Sequence, residues 1–416
     1  RWAFRNLAEL FAHGELSQRA QAVLDHWSGL YAGGPSQTAV AMHATIIDHY
    51  MRGAFYPEGG GQVMPARLIA VIESFGGEVR TLSPVERIVV EDRRATGVVL
   101  SDGTSIEANE AVISNADHAR TVFSLVGEEH WNPATIEWTR SAEMTLGLVC
   151  LYLVLDFELA GANTNHFVFP SFETDGLYEG LDAGGLDVGG SDGVFAYVAM
   201  ASRKDPGNEL LCAEGQTNLQ VMTFAPRGLE WWGLDGSPTE GAHYRRNEAY
   251  RARKAELVDA LIDAASSALA EDLDGRSLRD HIVHSETATP LSQERYTRST
   301  GGTSYGYIHS PEQSGENRPQ HRTEIDDLWL VGANTSSGHG VAGTMVGGVN
   351  CAGEILGRGL LVEMILGTAL ADPSDIASDP EGFDPMEFSR GRRLREERAR
   401  GRAARASAGG QLPSSP

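Results

Sequence analysis

The chain has 416 residues, enough for two domains and a sizeable core, and its 41% apolar content is that of an ordinary soluble protein. Acids outnumber bases 57 to 34, and the resulting net charge of −23 argues against a general nucleic-acid role, because phosphates are held by clustered Lys and Arg. The longest apolar run, Leu146 to Phe157, is too short to span a bilayer, and Cys150, Cys212 and Cys351 form neither a CxxC pair nor a metal-ligand spacing, which reads as buried structural thiols in a reducing compartment.

The first ten residues, RWAFRNLAEL, carry neither an initiator Met nor the apolar core and cleavage site of a signal peptide. They read as the inside of a helical region, and the expectation is a chain incomplete at its amino terminus. Through Met51 the pattern stays helical, with Leu7, Leu10 and Phe11, then Ala20, Val23, Leu24 and Trp27, on either side of a loop AGGPSQ. FYPEGGG follows, and Pro65 suits the first position of a helix whose Leu68, Ile69 and Ile72 share a face. Gly76 and Gly77 supply the positive φ that ends it. The period then changes: Val79, Val85, Ile88 and Val90 lead to GVVLSDGTSIEA, where Asp102 and Gly103 signal a hairpin. Ala111 to Ala116, AVISNA, reads as an apolar strand suited to a fully buried parallel sheet.

Between Gly127 and Arg322 the pattern is less regular. Thr145 to Phe157 and Asn218 to Phe224 read as strands, while Leu257, Leu261, Ala265 and Leu269 repeat every four residues as one face of a helix. Gly176 to Gly193 reads as a mobile glycine-rich loop. Asp372 to the end, rich in Pro, Asp, Ser, Arg and Gly, reads as a disordered tail. Its eight Arg between Arg390 and Arg405, set against Glu396 and Glu397, form either a solvated terminus or a contact for anionic lipid or a partner.

The segment Leu328 to Leu356, LWLVGANTSSGHGVAGTMVGGVNCAGEIL, runs from an apolar strand through a glycine loop into a helix. Gly338, Gly340 and Gly343 spell GxGxxG, but in a nucleotide-binding βαβ unit the strand enters the first glycine directly and further strands follow the helix. Here Ala333 to Ser337 intervene after Gly332, and the sequence beyond Leu370 is too polar for more strands. The chemistry is nonetheless suggestive: close glycines at a helix amino terminus present free N–H groups and a positive dipole end, which suits a pyrophosphate or another polar cofactor group. A tight turn and a closely packed helix with no ligand is the competing reading. Gly59, Gly60 and Gly61 also open a helix, and alone would be an ordinary turn. His339, the titratable side chain inside the loop, suits either steering a proton beside a cofactor or a backbone hydrogen bond. Glu58 reads as a solvated turn carboxylate before a site acid, and Trp231, Trp232, Phe167 and Phe169 as packing before the lining of an apolar tunnel. No Ser, His and Asp arrangement and no metal cluster supports hydrolysis.

Taken together, the segment from Phe55 to Asp117 resembles the central FAD-domain segment of the phytoene desaturase, carotenoid isomerase and retinol saturase group of flavoproteins, in the amine oxidase superfamily. Leu328 to Leu356 resembles their closing FAD-binding segment, and TPLSQERYTRSTGGTSYGYIHSPEQSGENRP the polar stretch before it. The resemblance implies an α/β protein with an α+β substrate domain: a discontinuous, FAD/NAD(P)-binding Rossmann-like domain, truncated at its amino terminus, with the substrate-binding domain inserted. The implied division is a helical part of the substrate domain at 1–52, FAD-binding segments at 53–127 and 323–370, the substrate domain at 128–322, and a disordered tail at 371–416.

It also implies roles. The residue matching Val85 meets the adenine side of FAD through its backbone, those matching Gly332 and Ala333 approach the pyrophosphate and ribityl chain, and those matching Gly338, His339, Gly340, Val341, Ala342 and Gly343 lie beside the flavin ring, as does the loop matching Gly59, Gly60 and Gly61. The family places a Rossmann strand, glycine loop and ribose-binding acid upstream of all this, and its desaturases carry a proline and glycines where Ser337, Gly338 and His339 stand here. The implied activity is FAD-dependent hydride exchange with a long polyene or isoprenoid, as in carotenoid biosynthesis, with desaturation, saturation and isomerisation left open. His339 is the candidate catalytic side chain. The alternative is a non-catalytic lipid carrier or escort protein on the same fold. A flavin amine oxidase ranks third, because the closing loop supplies no aromatic cage. The expected partner is a hydrophobic small molecule and not nucleic acid, and the expected place is the cytoplasm, with peripheral membrane contact left open.

Overall fold

The computed structural model describes residues 2–161, 163–188, 193–234, 240–368, 370 and 383–386. The tail beyond Asp372, including the arginine cluster, lies outside the described residues except for 383–386.

Three helices, Leu7–His13, Gln18–Asp25 and Val40–Met51, occupy the amino-terminal region; the first buries Leu7 and Phe11 as expected, but the second buries Ala22 and Asp25 and leaves Val23 and Leu24 exposed. Asn6 and Ser17 start the first two, their side-chain oxygens accepting from the Glu9 and Ala20 N–H groups. The next helix, Val63–Ser74, begins two residues before Pro65, and Gly76 at φ +80° follows its end. It buries Val63 and Ala66, whereas Leu68 and Ile72, two of the three residues expected to share a face, are exposed.

Ten strands follow among the described residues: β1 (Val85–Glu91), β2 (Arg94–Leu100), β3 (Ser105–Glu107), β4 (Val112–Ser114), β5 (Leu148–Leu155), β6 (Asn165–Val168), β7 (Ala196–Ala199), β8 (Thr217–Phe224), β9 (Ile282–Ala288) and β10 (Leu328–Leu330). β1, β2 and β3 form an antiparallel meander. Its second turn is the expected one, with Gly103 at φ +86° and the Thr104 N–H donating to the Asp102 carboxylate. The first turn carries no glycine: Asp92 and Arg93 both adopt left-handed φ, 47° and 64°, as a two-residue hairpin loop requires.

β4 pairs in parallel with β10, bringing the middle and the end of the chain together. The expectation of a strand buried on both faces fails at Ile113, which is 50% exposed between buried Val112 and Ser114. Only one face is covered, by a core that joins Ile88 of the meander, Val122 and Leu125 of the following turns, and Ile325 and Leu328. The alternation of side chains along a strand leaves Ile113 on the other face.

Between these two strands the chain builds the larger antiparallel sheet, ordered β6-β7-β8-β5-β9. Leu151, Leu153, Val198, Leu219 and Val221 of its strands pack with Leu257, Leu261 and Ala265 of the helix Glu248–Ala268, as the four-residue repeat predicts. A second core, with Phe195, Phe224, Tyr178 and Leu181, includes the helix Thr174–Asp182. That helix corrects the expected glycine loop: Gly176 and Gly180 lie inside it, and Tyr178 and Leu181 bury its inner side. Residues 189–192 of the same expectation lie outside the described residues. Cys150 and Cys351 are buried free thiols, and Cys212 is a half-buried one.

Candidate functional site

The two parallel strands deliver their carboxyl ends to one place. β4 runs into Asn115, Ala116 and Asp117, and β10 into Val331, Gly332, Ala333 and Asn334; the space beyond such strand ends is where α/β sheets take ligands. A cavity of about 560 Å³ opens there, bordered by Asn115, Asp117, Tyr305, Ala333, Asn334 and Thr344, a size suited to a small-molecule ligand. Its polar groups hold one another in position. Asp117 accepts from the Thr300 hydroxyl at 2.7 Å, the Thr300 N–H at 3.1 Å and the Arg120 N–H at 3.1 Å. Asn334 donates to Asp117 at 3.4 Å and accepts from the Tyr307 N–H at 3.2 Å. Gly332, at φ +96°, lets the two strand exits interlock, because a Cβ there would collide with Asn115 Oδ1.

The helix Gly340–Leu356 starts at the edge of this cavity, with Thr344 in its wall. Gly338 and Gly340 both take left-handed φ, 77° and 78°, so the chain reverses on either side of His339. Gly343 has a different reason: a Cβ there would sit 3.0 Å from the Ser337 carbonyl oxygen, so its absence lets the first helical turn close on the loop. The side chain of the N-cap, His339, caps nothing in the helix, leaving the first turn's N–H groups and the positive dipole end open toward exposed Val341 and Ala342. His321 ties the loop to β10: its Nδ1–H donates to the Leu330 carbonyl at 2.9 Å, and its Nε2 accepts from the Ser337 hydroxyl at 3.3 Å.

His339 turns inward. Its Nε2 is 2.8 Å from the Leu30 carbonyl, its Nδ1 is 2.7 Å from His309 Nε2, and the Tyr305 ring lies 4.5 Å from its own. Burial pushes its pKa down to about 4, and that of His309 falls well below the ordinary value for the same reason. The ring is therefore neutral with both nitrogens bonded, and it acts chemically as a link between loop and core. Half-buried Trp27, Tyr50, Phe167 and Tyr197 form an aromatic row. Trp27 stacks on Tyr50 at 4.7 Å, Phe167 stacks on Tyr197 at 4.7 Å, and Trp27 meets Phe167 edge-on at 6.2 Å. Tyr197, Phe167 and Tyr305 share one apolar cluster, and the Tyr305 hydroxyl donates to the Gly29 carbonyl.

The other sequence candidates have partners of their own. Gly59, at φ +84°, donates its N–H to Asp205 at 2.9 Å, and Gly60 lies near Asn208, so the Gly59 to Gly61 loop is fastened to residues 205–211. Val85 starts β1 opposite Leu100. Glu58 is exposed, Trp232 is buried in the main core, Trp231 donates to the Leu186 carbonyl, and Phe169 packs on Phe195. Asn115, Asp117, Asn334 and Thr344 were not among the sequence candidates. For Asn115, Asp117 and Asn334 the signal was present in the polar residues that come shortly after each apolar strand, whereas Thr344 lies inside the closing helix.

Residues 5–120 match the family described as flavin containing amine oxidoreductase. The chain is 27% identical over 383 residues to an all-trans-retinol 13,14-reductase from Danio rerio, covering 87% of this chain and 59% of that one. It is 25% identical over 293 residues to a 4,4'-diapophytoene desaturase from Methylomonas sp, covering 70% and 51%. The chain thus spans a little over half the length of these curated relatives. Among solved structures it resembles an oxidoreductase from Methanosarcina mazei with a TM-score of 0.53 at 16% identity, over 82% of this chain and 66% of that one, a likeness of fold. The expected α/β flavoprotein architecture and the expected cofactor, FAD, are borne out by these comparisons.

Proposed function

We propose, from the premise that this chain is a relative of the retinol saturase and carotenoid desaturase flavoproteins of the amine oxidase superfamily, that it is an FAD-dependent oxidoreductase acting on a long conjugated polyene or related isoprenoid. The observation that carries this reading is the cavity at the carboxyl ends of β4 and β10, with an open glycine-rich helix start at its edge and, in its wall, Tyr305, which shares an apolar cluster with Phe167 and Tyr197 of an aromatic row.

The residues present fit the flavin end of FAD. A Cβ on Gly340 would meet nothing within 4 Å, so a flat ring has room to approach the backbone there, and the open helix turn offers N–H donors to its oxygens and nitrogens. When bound, FAD supplies the hydride acceptor or donor, a chemistry for which the protein needs no nucleophilic triad. The chain's own residues bind and exclude water. Asn115, Asn334 and Thr344 line the cavity with polar groups, and Tyr305, also in its wall, shares an apolar cluster with Phe167 and Tyr197. A planar polyene gains from stacking on such rings, whereas a small hydrophilic substrate does not. Among the described residues no helix is long and apolar enough to cross a membrane.

The test is a titration of the purified chain with FAD, followed by flavin absorbance and fluorescence, then anaerobic mixing of the reduced protein with all-trans-retinol or a carotene. Saturable uptake and flavin reoxidation matched by a change in the polyene spectrum are expected. A protein that takes up no flavin fails the proposal, and tight binding of an isoprenoid without flavin favours the carrier reading.

A further inference from the structure

The two faces of the large sheet differ in character. Its strands are antiparallel neighbours, so residues directly opposite one another point the same way and form a rung across the sheet. Val198, Val221 and Leu151 belong to one such rung, fully buried in the same core as the helix Glu248–Ala268. The next rung, on the opposite face, runs Phe167, Tyr197, Met222, Cys150 and Ala288 across all five strands. It is apolar throughout: the Tyr197 hydroxyl donates away from it to Asn165 at 2.7 Å, and burial pushes the Cys150 thiol up to about 11, so that sulfur stays neutral. Phe167, Tyr197, Met222 and Ala288 are half-buried, and Met222 and Cys150 belong to none of the apolar cores among the described residues.

The neighbouring rungs of this face set the shape of what the strip can take. On one side Phe224 pairs with Leu148; Phe224 is buried in the second core, and Leu148, two residues before Cys150 on β5, lines the wall of the cofactor cavity. On the other side the rung reads Asn165, Ala199, Gln220, Tyr152 and Glu286, which brings in two amides and a carboxylate. The apolar strip is therefore one rung wide and five strands long: about 19 Å at the usual strand spacing, with the polar rung about 7 Å away. A partner helix, about 10 Å across, would overlap the amides and the carboxylate, whereas one slender apolar chain would not. At the Phe167 end the strip meets Trp27 edge-on at 6.2 Å, and Tyr305 of the cavity wall packs in the same cluster as Phe167 and Tyr197.

We propose that this rung is the binding floor for the hydrocarbon chain of the substrate, continuous with the cofactor cavity through Leu148, and that Met222 at its centre is a specificity-determining residue. That the chain is a polyene presented to a flavin rests on the function proposed above. That an extended apolar chain lies here rests on the rung itself. The rings of Phe167 and Tyr197 offer a flat stacking surface, and the pliable Met222 thioether fills the space under the middle of the chain.

The experiment titrates all-trans-retinol into the full chain, without FAD and again with FAD, and follows retinol fluorescence; saturable binding is expected in both. Met222→Trp sets an indole on the middle of the rung and should weaken retinol about tenfold or more while FAD affinity stays within about twofold. Met222→Gln keeps the length of the side chain and makes the centre of the rung polar, and should weaken retinol about fivefold, which keeps the test open where the larger residue disturbs folding by circular dichroism. Retinol affinity unchanged in a folded variant of either kind overturns the proposal, as does a wild-type chain that takes up no retinol in either condition. A parallel loss of FAD affinity also overturns it, because a floor for the chain alone does not hold the flavin. Retinol binding that both substitutions weaken, in a chain that takes up no FAD, sustains the floor and fails the functional reading.

Discussion

The five-stranded sheet and the β4–β10 pair bury themselves in different ways. The larger sheet packs its strands with the helix Glu248–Ala268 in one apolar core and contributes Phe224, beside Phe195 just ahead of β7, to a second. The parallel pair has one covered face, and Ile113 on the other is half exposed, as are Val341, Met345 and Leu356 along the closing helix. Parallel strands are normally covered on both faces. The part of the molecule that carries the candidate site is therefore the less self-sufficient one, the part where local opening costs least and where a ligand that binds only the folded form adds most.

The sharpest way to break this comparison is to damage the stronger region. Leu261 is fully buried between the helix Glu248–Ala268 and the large sheet, and Leu261→Ala should cost about 2–5 kcal/mol, a transfer loss plus a cavity. Urea unfolding followed by circular dichroism measures it. A loss under about 1 kcal/mol would mean that the large sheet does not dominate stability.

Next comes the exchange point of the weaker region. Gly332→Ala puts a methyl against Asn115 at a left-handed backbone angle, and should cost about 1–3 kcal/mol and abolish FAD uptake at concentrations that saturate the wild type. If it binds FAD normally, the interlock of the two strand exits is not what shapes the cavity.

The two regions also differ in how far the sequence disclosed them. β5, β8 and the helix Glu248–Ala268 were legible because their apolar residues repeat at periods that burial on a sheet or helix enforces. The glycines of the closing loop were legible as a type of local geometry. The hairpin at Asp92 and Arg93 was not, since Asp92 is a usual residue for left-handed backbone but Arg93 stands where a glycine would signal the turn, and the helix through Gly176 and Gly180 was not, since packing of Tyr178 and Leu181 overrides poor local propensity. Nor did periodicity show that Leu68, Ile72 and Ile113 would face outward: an apolar pattern gives the side chains a common face without saying what covers it. The partners of His339 come from Leu30, His309 and, one step further, Arg318, brought together only by the completed fold.

A third prediction concerns the amino-terminal helices beside the aromatic core, where Asp25 is fully buried and Tyr31 bridges it to His43. Burial raises Asp25 to about 7, from 3.8 for the free side chain. Below about pH 4 the folded and unfolded chains both hold that proton, but above it the unfolded chain ionises first, so this contribution to stability is lost as pH rises to about 7. His43, pushed down by burial to about 4, works in the opposite sense: its contribution is complete above about 6.5 and is lost as pH falls toward 4. Asp25→Asn removes the first slope and leaves the second. Relative to wild type, the variant should gain about 1–2 kcal/mol between about pH 5 and pH 8, read as a shift in urea midpoint. An unchanged difference between the two pH values would show that Asp25 does not carry the proton.

The smallest effect is expected where the comparison is most counter-intuitive, on the apolar but uncovered face of the closing helix. Leu356 is 62% exposed near the helix end, so Leu356→Gln gives up little buried area and keeps a good helix former in place. The change in stability should stay within about 0.5 kcal/mol, against several for Leu261→Ala in a helix of similar apolar appearance. A loss of 2 kcal/mol or more, on the order of a buried leucine, would mean that something covers this face in solution. A concentration-dependent unfolding midpoint would then identify the cover as a second copy of the chain, because only association makes apparent stability depend on protein concentration.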